Sequence, residues 1–308
     1  MILVGGEALV DLLVHPDGRL DAVLGGGPHN TARTIGRLGV AAAFVGALST
    51  DRFGEQLADG LARDGVDLSF VRRSDAPTTL AVADLDASGD ARYRFYLDGT
   101  SAADLRPADL PSFAGSTLDA VHVGTLGLVL APLADAMEAL VASAPDDAPV
   151  MLDVNARPTA TRDHAAYAAR VDRILRRADV VKVSTDDLRV LRPAVSPTAG
   201  AEDLLAAGPR VVLWTDGGGI VRIVTRGGTT SVTPPRVVVA DTIGAGDAFG
   251  GGFLAAWIGA GHDRAGLDDE AAVIEATRSA IRVASFTCTR PGAEPPTAAE
   301  LAGWQPAG

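Results

Sequence analysis

The densest chemistry in the chain is the string Asp241-Thr242-Ile243-Gly244-Ala245-Gly246-Asp247-Ala248-Phe249. It follows the apolar run Val237–Ala240 and opens a stretch of helical character. Small residues at 244 to 246 let successive backbone N–H groups converge on one spot. At a helix N-terminus, where partial positive charge collects, such a spot holds an anion. A phosphate suits it, and so does the charge that develops on a phosphoryl group in transfer. Asp247 falls in the first helical turn behind it. A carboxylate there can take the proton of a hydroxyl while the amides hold the phosphoryl oxygens. A dinucleotide fingerprint fits less well: Phe249 replaces its third glycine, and Asp247 would face a pyrophosphate. A plain capped helix, with Asp247 on the dipole, explains Gly-x-Gly-Asp but not the longer pattern.

A turn of this kind needs a scaffold. Short apolar runs predict buried strands at Ile2–Gly5, Ala42–Val45, Ala120–Val123, Val150–Val154, Val180–Val183, Val211–Trp214 and Ile220–Val224. Most are continuous rather than alternating, as parallel strands covered on both faces are. Helices are predicted between them at Asn30–Leu38, Phe53–Asp64, Leu133–Ser143, Ala165–Arg177, Asp186–Leu191, Asp247–Ile258 and Glu270–Phe286. The alternation gives an α/β fold with a mainly parallel sheet and helices on both faces, the last two helices closing one face. Two segments break the rhythm. Leu12–Leu24 turns at His15-Pro16-Asp17-Gly18, and Thr79–Tyr96 turns at Ala87-Ser88-Gly89-Asp90. Both read as hairpins, and together as a small antiparallel flap beside the sheet.

Composition narrows the chemistry. The 308 residues carry a formal charge of -12 and are 47% hydrophobic, which sustains a large core and excludes global disorder. An acidic chain is a poor match for a nucleic-acid phosphate track. Cys288 is the single cysteine, so no disulfide scaffold exists, and its apolar surroundings predict a buried, inert thiol. The histidines at 15, 29, 122, 164 and 262 have no metal-ligand spacing. Lys182 is the only lysine, and no Gly-x-x-x-x-Gly-Lys-[Ser/Thr] loop surrounds it, which removes the P-loop route. No apolar run is long enough for a membrane span, and the start lacks a basic, apolar leader, so a cytoplasmic, soluble protein is expected.

The Asp241–Phe249 string resembles the C-terminal signature of the PfkB, or ribokinase-like, family of sugar kinases. Gly25-Gly26-Gly27-Pro28-His29-Asn30 is similar to its first signature, and Gly46–Gly54 and Gly65-Val66-Asp67 to its next block. The fructokinase-like branch shares the Gly6-Glu7-Ala8-Leu9-Val10-Asp11 opening and Pro77-Thr78-Thr79. It also shares Tyr93–Tyr96, His122–Leu128, Asp153-Val154-Asn155-Ala156-Arg157-Pro158 and Thr289–Ala293. The resemblance implies one three-layer α/β/α ribokinase-like domain over 1–308, with a lid-like flap from about 12–24 and 79–96. It implies ATP and Mg2+, and K+ in many relatives. Asp247 would be the catalytic base, with the amides of Gly244, Ala245 and Gly246 as the anion hole. Asp11, Gly26 and Asn30 would bind sugar hydroxyls, for which an Asp plus an Asn amide supply both acceptors and donors. Arg157 would clamp phosphate or substrate.

On the nucleotide side the family's Asn-x-x-Glu stands here as Ser184-Thr185-Asp186-Asp187, with Asp187 as an indirect magnesium contact. Lys182 before it is either a phosphate contact or a strand-end charge. The glycine loop Thr215-Asp216-Gly217-Gly218-Gly219 is one residue short, so only Thr215 and Gly217 carry over. Asp241 and the backbone near Arg290 and Gly292 match a monovalent-cation site. The expected activity is transfer of the γ-phosphoryl group of ATP to a primary hydroxyl, first of all that of fructose at position 6. Other acceptors are 2-keto-3-deoxygluconate, ribose, a polyol or a nucleoside. A non-catalytic sugar-binding or regulatory protein on the same scaffold is the alternative of another class. Relatives pair flap to flap, which implies a homodimer.

Overall fold

A computed structural model describes residues 1–86, 91–111 and 118–306. The first half runs β1 (Ile2–Gly5), β2 (Leu9–Val14), β3 (Leu20–Gly25), α1 (Gly27–Arg37), β4 (Ala42–Ser49), α2 (Arg52–Arg63), β5 (Val66–Asp67), β6 (Val71–Ser74), β7 (Leu80–Leu85), β8 (Ala91–Tyr96) and β9 (Ala120–Gly124). Then follow α3 (Leu133–Ala142), β10 (Val150–Asp153), α4 (His164–Leu175), β11 (Val180–Ser184), α5 (Thr185–Leu191), α6 (Pro197–Ala206) and β12 (Val211–Thr215). The chain closes with β13 (Val221–Thr225), β14 (Gly228–Val232), α7 (Ala245–Gly259), α8 (Glu270–Thr287) and α9 (Ala298–Gly303).

The large sheet has the order β14-β13-β12-β11-β10-β9-β1-β4-β5, with β6 beside β4. Every pairing from β5 to β12 is parallel. The central strands β1, β9 and β10 are buried at every position, which is why they read as unbroken apolar runs. Alternate side chains serve two cores. Leu3, Val121, Leu152 and Val181 pack on Met137 and Leu140 of α3 and Ile174 of α4. Ile2, Val4, Met151 and Val180 pack on Ile35 of α1, Phe249 and Phe253 of α7 and Ile281 of α8. Strand β13 departs from the expected parallel run. A tight turn, closed by the Gly219 N–H on the Asp216 carbonyl at 2.8 Å, returns it antiparallel to β12. A parallel return would need a long crossover.

Helix α7 is buried on nearly all sides and has no polar face. Its glycines explain how it fits between α1 and α8. A Cβ at Gly251 would lie 2.7 Å from Thr34 Cβ, and one at Gly252 would lie 3.0 Å from Val283 Cβ. The run Val237–Ala240 before it is coil, and Val238 and Val239 are exposed. Helix α6 was not anticipated, although Ser196 caps it through the Ala199 N–H and Pro197 opens its first turn.

The second sheet has the order β3-β2-β7-β8. Each hairpin is antiparallel, as expected, but the seam between β2 and β7 is parallel. The expected turn at 87–90 lies outside the described residues. Register puts Asp11, Tyr93 and Phe95 on one face and Leu12, Leu20, Val82 and Tyr96 on the other.

Candidate active site

The parallel strands end at one edge of the sheet, where open α/β sheets place their ligands. A cavity of about 450 Å3 lies there, closed on one side by the inner face of the flap. Its walls include Asp11, Gly26, Asn30, Arg157, Gly244, Gly246 and Asp247, so the expected acceptor positions meet the expected catalytic ones there, except Ala245, which does not line it. Tyr93 and Phe95 of the flap complete it.

Asp247 lies in the first turn of α7, whose N-cap is Gly244 in the left-handed conformation at φ 73°. That conformation suits glycine, and Ala293 presses so close that a Cβ at 244 would lie 2.5 Å from its methyl. The Asn30 amide donates to Asp247 Oδ2 at 2.9 Å, and Thr31 donates to the Asp247 carbonyl at 3.3 Å. Helix α1 therefore fixes the carboxylate from the sugar side. Burial raises the Asp247 pKa above the ordinary aspartate value, while Asn30, Lys182 and Arg157 oppose the rise. The result is a better proton acceptor than a solvated aspartate that still has cations nearby.

Asp11 faces Asp247 from β2. Burial pushes its pKa up to about 6, against the pull of Arg157. Arg157 is steered by the loop after β10: its Nη1 donates to Asn155 Oδ1 at 2.7 Å and to the carbonyls of Asn155 and Ala156. Asn155 in turn donates to Thr125 Oγ1 at 3.2 Å. Both Thr125 (φ 54°) and Asn155 (φ 35°) adopt positive φ, a strained state that proteins tolerate mainly at functional sites.

Lys182 resolves the choice left open by the sequence in an unexpected way. It is buried under α7, with Nζ 2.9 and 3.0 Å from the two Asp153 oxygens. A Cβ at Gly246 would lie 2.9 Å from that Nζ, so the cation sits directly below the anion turn. Burial works against its charge, but Asp153, Asp187 and Asp247 outweigh burial and raise its pKa. Asp153 is itself raised to about 6 by burial. Asp187 forms a capping box with Ser184 and accepts the Ala156 N–H at 2.7 Å. It thereby joins the β10 loop to the start of α5. Thr215 donates to the Val183 carbonyl at 3.3 Å, and Gly217 turns at φ 54° beyond it. Asp241 accepts the N–H groups of Ile243 (3.0 Å) and Gly292 (2.8 Å), tying the anion turn to the loop after α8. None of Lys182, Ser184, Asp187, Thr215, Gly217 or Asp241 lines the acceptor cavity. Cys288 is only partly buried.

Glu7, Thr125, Asn155 and Asp153 belong to this arrangement and were not among the expected site residues. An acidic residue directly after an apolar strand was the available signal for Glu7. The positive φ values of Thr125 and Asn155 have none.

Comparison with known proteins adds the lineage. The model of the pfkB family carbohydrate kinase matches residues 8–299. The chain belongs to the pfkB family of carbohydrate kinases. The kinase is 34% identical over 259 residues to the fructokinase of Rhizobium leguminosarum bv. trifolii, covering 83% of this chain and 79% of that one. The fructokinase of Xylella fastidiosa with bound ATP superposes with a TM-score of 0.90 at 31% identity, over 98% of this chain and 96% of the other. A fructokinase double mutant of Vibrio cholerae O395, in fructose-, ADP- and potassium-bound form, gives 0.84 at 26% identity, covering 97% and 94%. In this kinase, as in that family, the sheet is mostly parallel with a small second sheet at its edge.

Proposed function

We propose that this kinase transfers the γ-phosphoryl group of ATP to the 6-hydroxyl of fructose, with Asp247 as base. The observation that carries the reading is the Asp247 carboxylate, buried at the head of α7, hydrogen-bonded by Asn30 and facing Asp11 across a sugar-sized cavity. The acceptor's hydroxyls are held by Asp11, the Gly26 turn and Asn30. Asp247 accepts the proton of the primary hydroxyl as the phosphoryl group moves in line. The amides of Gly244, Ala245 and Gly246 hold the phosphoryl oxygens, and Lys182, paired with Asp153, supports the turn from beneath Gly246. Closure of the flap excludes water that would compete for the phosphoryl group.

Charge in the cavity supports a neutral acceptor. Asp11 and Asp247 line it against the single guanidinium of Arg157. A sugar acid such as 2-keto-3-deoxygluconate would place its carboxylate among those groups, whereas fructose would not. The fructokinase relatives point the same way.

Among the described residues no cluster of three His, Cys, Asp or Glu side chains is set to grip a metal. Magnesium bound largely by ATP phosphates suits such a site, and Asp187, whose oxygens both accept N–H groups, would meet it only through water. It would neutralise phosphate charge. A potassium ion would find Asp241 and the carbonyls around Arg290 and Gly292, where it would brace the anion turn. We extend the proposal to a homodimer through the outer flap face, where Leu20 and Tyr96 are exposed beside Leu12 and Val82. A cytoplasmic location follows from the need for ATP. No helix among the described residues is long and apolar enough to cross a membrane.

A panel of acceptors with coupled ADP detection tests the reading. Fructose should give the highest kcat/KM. ADP production from none of them, with sugar binding retained, would instead favour a non-catalytic sugar-binding protein.

A further inference from the structure

Glu7 has no part in the steps above, yet it is fully buried at the cavity wall, on the crossing from β1 to β2. Among the described residues its carboxylate has no cationic partner. Oε1 accepts the Gly27 N–H at 3.1 Å, and Oε2 accepts the Gly127 N–H at 3.0 Å, 120 residues further along the chain. Gly27 opens α1, three residues before Asn30. Gly127 lies in the 3₁₀ turn Thr125–Leu128, which begins with the strained Thr125. The two turns touch, since a Cβ at Gly27 would lie 2.4 Å from Thr125 Oγ1 and 3.3 Å from Asp247 Oδ1. Burial pushes the Glu7 pKa up to about 8, with Asp247 adding to the rise, so the site keeps a costly group for a geometric purpose. The two oxygens of a carboxyl group offer an acceptor to each N–H group. A glutamine would aim an amide donor at one of them.

We propose that Glu7 is a positioning residue of the acceptor site, clamping the Gly26–Gly27 turn to the Thr125–Leu128 turn and so setting how the acceptor hydroxyl meets Asp247. The inference rests on the sugar-kinase reading above. In Glu7→Gln, with one turn released, KM for fructose should rise about tenfold or more, the effect of one unsatisfied buried contact. KM for ATP should stay within about twofold, on the same scale. ADP formed per sugar phosphate should exceed one, because a loosened acceptor lets water compete. A merely structural role would lower the melting temperature and the active fraction but leave both KM values and the stoichiometry alone. If Glu7→Gln does not fold, amide exchange in the wild type decides. Fructose should slow exchange in segments 26–30 and 124–130 together, and protection of one without the other would overturn the clamp. An active wild type whose Glu7→Gln keeps its fructose KM and stoichiometry overturns this inference alone. A wild type that phosphorylates no acceptor overturns the function and the inference with it.

Discussion

The head of α7 and the flap present their carboxylates to the cavity by opposite means. Asp247 is enclosed: α1 packs on one side, α8 on the other, and Lys182 and Asp153 lie beneath. Its anion turn is tied to the loop after α8 through Asp241 and Gly292. Asp11 sits on a four-stranded sheet that shares no strand pairing with the main sheet and exposes Leu20 and Tyr96. Phosphoryl transfer gains from groups that do not reorganise, and Asp247 and the amides of 244 to 246, proposed as base and anion hole, sit at the head of a helix packed between α1 and α8. Acceptor capture needs an opening, and Asp11, proposed to bind the acceptor, lies on a sheet that meets the main body through Leu9 and Ala81 against Leu126 and Ala160. Hydrogen bonds add a further tether. Asp51 caps α2 and also accepts the N–H and hydroxyl of Thr78, just before β7, at 2.8 and 2.6 Å.

The contrast can be broken most severely at the enclosed end. Asp247→Asn should lower kcat by about 10²–10⁴-fold, the usual worth of a positioned general base, with the melting temperature nearly unchanged. Turnover close to wild type would remove Asp247 from the chemistry. At the flap end, Asp11→Asn should raise the fructose KM by about 10–100-fold, as loss of a charged hydroxyl acceptor does, and leave kcat less affected. It should also alter the pH profile. Asp11 binds hydroxyls as a carboxylate and its pKa is raised to about 6, so kcat/KM should fall as pH drops through that value. The variant cannot ionise and should lose this limb, retaining only the one set by Asp247; an unchanged profile would argue against Asp11 as an acceptor.

Packing gives a smaller effect. In Gly251→Ala the new methyl meets Thr34 and the Thr31 carbonyl at under 3 Å, which should destabilise the fold by about 1–3 kcal/mol in denaturant titrations. Wild-type stability would mean that α7 is less tightly enclosed than its contacts indicate. The smallest expected change in rate comes from Leu20→Glu on the outer flap face. Light scattering should show the mass halved, with kcat altered by less than about twofold, since rim-like surface changes cost little. An unchanged dimer would move the interface elsewhere, and a monomeric wild type would remove it.

The glycine turn and Asp247 were readable because a run of small residues before a helix has few other uses. The central strands were readable for a related reason: full burial leaves an unbroken apolar run. Apolar content alone does not imply burial: Val237–Ala240 leaves Val238 and Val239 in solvent. A short Gly-rich turn after β12 signalled the antiparallel return of β13, but the apolar residues on both sides of Arg222 masked it. The seam between β2 and β7 joins segments about seventy residues apart, and no local pattern specifies its direction.

By itself the sequence determined the reaction class, the glycine turn at the head of α7 and the alternation of strands and helices, because each depends on residues close together in the chain. The tertiary structure decided what those residues face. It put the only lysine beneath the anion turn against Asp153 rather than in the cavity. It used Asp187 to cap α5 and hold the β10 loop. It also joined Glu7 to Gly27 and Gly127. These are contacts between residues far apart in sequence, made favourable by burial and by satisfied backbone groups, and both exist only once the sheet has brought the loops to one edge.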